Sequence, residues 1–314
     1  MATSNASSQL WDDPDTIIRT SDGMSIRVHM KLLAMASPVF NDMFGIPQPT
    51  KEGDQLPVVD LAEDSKTLEV LIDAIYPDRY PSTPVELSTL NKVAAAAQKY
   101  VMRSVQAFVA HCLRTTSYAD SPLRVYAIAC RCGLDDVAVQ CARSSLLEPW
   151  PDTLPPEFED LSANSYHKLL SFRRRCEAVF DSQLDSESCE SYEEFAYLSS
   201  RLPKCSKCPQ SSYGPLTGPP ALIAPSWFVA HLHLAKQEFL QRVDGSAVMS
   251  PELVNKTIRE LRKGEAYVRC DCDTVGPMKL LEFSHLSARI LDRLLRKVPF
   301  EVDEIRGDSD SMID

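Results

Sequence analysis

Glycine is scarce, with ten among 314 residues. Backbone cradles for phosphate need glycine at fixed offsets. The sequence contains no G-x-x-x-x-G-K-[ST] loop, no G-x-G-x-x-G fingerprint and no G-x-S-x-G elbow. No residue pattern asks for an enzyme, and no catalytic residue is assigned. Adjacent carboxylates such as Asp135-Asp136 and Glu193-Glu194 sit at expected helix starts, where they complement the helix dipole. An excess of basic charge is also missing. The 33 Lys and Arg against 44 Asp and Glu give a net charge of −11, which argues against nucleic-acid and membrane-surface partners. Long apolar runs are absent too. The most apolar stretch, 221–235, contains Pro225, His231 and His233 and is shorter than the roughly 20 apolar residues of a spanning helix. The first residues show no basic region followed by an apolar run, so no secretory signal is expected. The ten cysteines are therefore expected in the reducing cytoplasm or nucleus, as buried thiols or metal ligands.

What is present reads as short strands followed by many helices. Residues 1–9 are small and polar, a disordered leader. Two short runs, Asp15 to Arg19 and Met24 to His29, flank Asp22-Gly23, a pair suited to a tight turn, and predict a β-hairpin over 15–29. Ser37-Pro38 is an N-cap and first-turn pair, so two short helices meet there. Their residues Val39, Phe40, Met43 and Phe44 are expected in the core. Leu56 to Leu61 predicts a third strand, and Asp64 or Ser65 caps a helix carrying Leu68, Leu71, Ile72 and Ile75. Helical stripes follow at 87–101, 105–113, 123–132, 135–147, 165–180, 225–243, 250–267 and 280–298. The segment 205–220, rich in Pro, Gly and Ser, is expected to hold no regular element. Residues 301–314 carry six acidic groups and one Arg, an acidic tail. The expected fold class is α+β, mostly α.

The run Asp15-Thr-Ile-Ile-Arg19, the hairpin, Val28-His29, Leu33-Ala34, Ser37-Pro38-Val39-Phe40, Met43-Phe44 and a helix reaching Ile75-Tyr76 together resemble the BTB/POZ domain. Leu123 to Leu147 is similar to the helical extension that follows many such domains. The chain as a whole resembles BTB proteins of the fungal type. The resemblance implies a BTB/POZ-like domain over 10–118, a helical extension over 119–175 and an α-helical C-terminal region over 176–300. It marks Asp15, His29, Leu33, Ser37, Phe40, Met43 and Phe44 as the interaction or core motif. It implies a protein-interaction adaptor that homodimerises, and in some members recruits a cullin ubiquitin ligase or a corepressor. Two departures weaken the narrower roles. Met30 stands where corepressor-type members often carry a basic residue facing the aspartate at Asp15, and Lys31 is one position off. No clean apolar-x-Glu motif follows Tyr76 to mark a cullin contact. No kelch or zinc-finger array names a substrate.

Two close cysteine pairs, Cys205-Ser-Lys-Cys208 and Cys270-Asp-Cys272, read as four thiolates for one tetrahedral structural zinc, carried on irregular segments. The alternative is that they are neighbours in sequence only. A cysteine-based redox protein or enzyme using Cys205 and Cys208 is an alternative of another functional class, although that motif should open a helix after a strand. Cys112, Cys130, Cys132, Cys141 and Cys176 fall on apolar helix faces, where burial is the default. His231 and His233 point to different helix faces, which leaves His167, His233 and His285 as weak extra ligands.

Overall fold

A computed structural model describes residues 13–46, 56–77, 79, 84–115, 118, 120–183, 200, 204–213, 222–263 and 272–301. The expected leader and all but the first residue of the acidic tail lie outside these. The chain divides into two compact units, Met1–Cys141 with Leu154–Leu161, and Ala142–Thr153 with Ser162–Asp314. The extension expected over 119–175 is thus shared between them.

In the first unit, β1 (Thr16–Arg19) and β2 (Ser25–Val28) form the antiparallel hairpin, with Ile18 opposite Ile26. Gly23 takes φ +83° in the turn and donates its N–H to the Thr20 carbonyl at 3.0 Å. Only a residue free of Cβ strain adopts that angle readily. β3 (Val58–Asp60) pairs with β1 in parallel, giving the order β2-β1-β3. Ile18 and Val28 are buried.

Two short helices follow the hairpin, α1 (Met30–Ala36) and α2 (Pro38–Gly45). Ser37 accepts the Phe40 N–H at 3.1 Å as the N-cap of α2. Asp64 caps α3 (Ser65–Asp73) through the Thr67 N–H at 2.9 Å and pairs with Lys92 at 2.7 Å. The hydrogen bond from Lys92 leads the effects that hold its carboxyl down at about 2. The helices α4 (Leu87–Lys99), α5 (Arg103–Thr115) and α6 (Pro122–Arg131) bury apolar stripes that include Leu90, Val105 and Val125.

α4 and α6 end alike. Met102 N–H bonds Ala97 O and Val101 N–H bonds Gln98 O; Leu134 bonds Ala129 and Gly133 bonds Cys130 in the same pattern. Each is a Schellman turn needing a left-handed residue, Val101 (φ 52°) in one and Gly133 (φ 66°) in the other. Residues 154–161 join this unit through charge. Arg124 donates from Nε and Nη2 to Glu157 Oε1 at 2.9 and 2.5 Å, and Arg131 bonds Asp160 and Asn91.

The helix α7 (Asp135–Ser144) runs across the boundary between the units. The second unit holds α8 (Ala163–Ser182), a hairpin of β4 (Gln210–Tyr213) and β5 (Leu222–Pro225), and then α9 (Ser226–Gln241), α10 (Pro251–Lys263) and α11 (Cys272–Lys297). Its core packs Phe180 at a tilt against Phe239 (5.5 Å between ring centroids) and Phe228 edge-on to Phe283 (4.8 Å). At Gly245 a Cβ would run into the Ala288 carbonyl, and the Gly245 N–H donates to Asp292 at 2.7 Å, so glycine is required there.

Three expectations are corrected. Residues 210–213 form a strand inside the segment expected to be irregular, because they pair with β5. Cys272 does not lie on an irregular segment but opens α11, which continues through Pro277. Of Val39, Phe40, Met43 and Phe44, only Phe40 is buried; the other three are half-buried. A two-turn helix has too little circumference to hide all four.

Candidate functional site

The motif residues around α1 are placed by a few hydrogen bonds. His29 ends β2's extension and donates its backbone N–H to the Tyr76 hydroxyl at 3.2 Å, while its Nδ1 lies 2.9 Å from the same oxygen. His29 is thus a brace between the hairpin and the end of the α3 segment, not a catalytic base. His29 offers no side-chain cap to α1; Asp15 does, accepting the Met30 N–H at 2.7 Å. That bond occupies the carboxylate otherwise expected to face a basic partner. Ser37 is fully buried and donates to the Tyr100 carbonyl at 2.5 Å. Phe40 stacks on Tyr100 (4.7 Å) and Phe44 (6.0 Å).

α1 itself reads Met-Lys-Leu-Leu-Ala-Met-Ala and buries only Leu33. Met30, Leu32, Ala34 and Ala36 are half-buried, and Met35 is 77% exposed. A helix that is apolar almost all round is ordinarily covered on every side. Met24 in the hairpin turn and Ile46 after α2 are exposed as well.

In the second unit, the ligand atoms of Cys205, Cys208 and Cys272 all lie within 4.8 Å of one another. Cys270 lies outside the described residues. Gln210 Nε2 donates to the carbonyls of Cys205 and Cys208 at 2.9 and 3.0 Å, tying the turn that carries the first two thiols. The backbone N–H of Lys207, then the thiol and backbone N–H of Cys208 and the Cys272 thiol, pull the Cys205 thiol down to about 7. Burial instead pushes Cys132, Cys141 and Cys176 up to about 11. Cys176 is buried as expected, whereas Cys112, Cys130, Cys132 and Cys141 are half-buried.

Residues 5–117 match the family model of the BTB/POZ domain. No curated protein matches the chain. The BTB/POZ domain is a protein-interaction module, and the matched residues hold the short strands β1 to β3 and the helices α1 to α5. The match ends before α6, so the thiol cluster belongs to chain beyond the BTB/POZ domain.

The histidines do not join the thiols as a described metal group. His231 is buried, with Nδ1 2.9 Å from Thr257 Oγ1 and Nε2 3.3 Å from Ser284 Oγ. Burial drives its imidazole down to about 4, which keeps it neutral. His233 packs against the Tyr213 ring at 5.0 Å, and His167 lies 3.2 Å from Ser171 Oγ. Sequence reasoning named Tyr76 only as a helix end and did not find Tyr100 or Gln210, whose partners are remote or sit in irregular turns. The Gln210 signal was present only as the residue two beyond Cys208. No helix among the described residues is long and apolar enough to cross a membrane.

Proposed function

We propose that the chain is a protein-interaction adaptor whose BTB/POZ domain pairs two copies through the apolar face of α1. The observation that carries this reading is that six of the seven residues of α1 are apolar while one is buried. Leaving such a helix against water forfeits the transfer free energy of its side chains, and a two-fold partner recovers it with the same surface on both sides. The hairpin and α1 lie next to one another in the chain, so β1, β2 and α1 would supply the interface together. The second unit would then carry partner choice. A further protein partner is favoured over a cullin, since no clean apolar-x-Glu motif follows Tyr76. Affinity purification that recovers a cullin in stoichiometric yield would reverse that preference. Sedimentation velocity over a dilution series tests the pairing: the reading expects a dimer that persists at tens of micromolar, an order-of-magnitude range for a stable interface. A monomer at every concentration overturns it.

A further inference from the structure

The cysteine-bearing turn before β4 and the first turns of α11 are both anchored on the start of α9. Ser226 donates its N–H to the Pro209 carbonyl at 2.8 Å, and its Oγ lies 2.6 Å from Ser211 Oγ. One residue further on, Trp227 lies against Gly276, where a Cβ would meet its ring at 3.6 Å. None of these contacts uses a cysteine. They nonetheless bring three thiols from two distant segments to within 4.8 Å of one another.

We propose that Cys205, Cys208 and Cys272 bind one zinc ion, which clasps the C-x-x-C turn to the first residue of α11. Zinc takes thiolates at about 2.3 Å in a tetrahedron, which puts sulfurs about 3.8 Å apart, a spacing these three reach with small side-chain adjustment. Three thiolates gathered at one point repel each other, and a soft divalent cation removes that repulsion, whereas oxygen-seeking cations such as magnesium do not. Binding is a proton exchange: each thiol gives its proton to solvent, one S–Zn bond forms per sulfur, and no electrons move. Three protein ligands leave one tetrahedral position for a further donor. The segment from Cys208 to Cys272 contains β4, β5, α9 and α10, so one ion closes these four elements into a loop.

The test uses the full chain purified from zinc-supplemented culture without chelator. Elemental analysis is expected to give about one zinc per chain, falling at least tenfold in C205S and in C272S. Because a variant at the start of α11 can fail to fold, the wild-type chain supplies two independent readings. Titration with a mercurial thiol reagent should release zinc to a chromogenic indicator in step with thiol modification. Replacement by cobalt should give a thiolate-to-cobalt charge-transfer band with the d–d bands of a tetrahedral site. Less than about a tenth of a zinc per chain with no cobalt band overturns the proposal. Iron in place of zinc, or a disulfide among the three cysteines in the non-reduced protein, overturns it equally.

Discussion

Leu33 and Met35 lie two positions apart on one short apolar helix, yet Leu33 is completely buried and Met35 is 77% exposed. The first is a core anchor and the second faces away from everything in its own unit. Leu33→Ala should therefore cost about 2–5 kcal/mol of stability, the range for a large side chain lost from a packed site. Urea unfolding followed by circular dichroism measures it, and a loss below about 1 kcal/mol would mean that the site collapses around the gap or that Leu33 is not packed as described.

Val101 is a β-branched residue held at φ 52° with its side chain 47% exposed. The Schellman turn after α4 imposes the angle, as the equivalent turn after α6 does on Gly133. Val101→Gly should raise stability by about 0.5–1.5 kcal/mol, relief of backbone strain outweighing the lost contact and the added freedom of the unfolded chain. A denaturant midpoint that falls would contradict this.

Much of the first unit was legible because its signals are local. Asp22-Gly23 named the turn, Ser37-Pro38 named the joint between α1 and α2, and Asp64 named the cap of α3. The parallel pairing of β1 with β3 was not legible, since it joins Ile17 to Val58 across a long separation and leaves no local mark. The β4–β5 hairpin escaped because Gln210-Ser-Ser-Tyr213 lacks an apolar alternation and Leu222 to Pro225 merges with the apolar start of α9. Gly276-Pro277 disguised the beginning of α11, yet α11 runs through it with Gly276 packed on Trp227. The cysteine spacing did point to a thiol cluster. Only the fold, however, brings Cys272 to the first pair.

His231 should make the second unit sensitive to acid. Its ordinary value of 6.5 falls to about 4 in the fold because burial disfavours the charged ring. The unfolded chain then binds the proton first. Stability from this group is whole above pH 6.5 and is lost as pH falls from 6.5 toward 4, by an amount on the order of 3 kcal/mol. Urea midpoints taken across that window should decline in the wild type and decline less in His231→Leu. Parallel slopes in the two proteins would remove His231 as the cause.

Glu157 is 2% exposed at its side chain and relies on Arg124. Burial pushes its carboxyl up, but the Arg124 hydrogen bonds, a backbone N–H and the charges of Arg124 and Arg131 together outweigh that and leave it below the ordinary carboxylate range. Arg124→Ala strands the charge and should cost about 2–4 kcal/mol at pH 8, less at pH 5, where the carboxyl can take up a proton. Glu157→Gln keeps an acceptor for Arg124 and should cost less at pH 8. Equal losses for Arg124→Ala at both pH values would show that the charge is not what matters.

The proposed pairing of two copies requires that α1 be an interface. Met35→Glu places a charge on its most exposed residue and, as a surface change, should alter the stability of the folded unit by no more than about 0.5 kcal/mol. Light scattering of wild type and Met35→Glu, side by side at the same concentration, is the most direct test. The expected result is a wild-type mass of twice the 35.0 kDa chain and a variant mass of one chain, with unchanged circular dichroism. Equal masses for the two proteins, whether both single or both double, would contradict it.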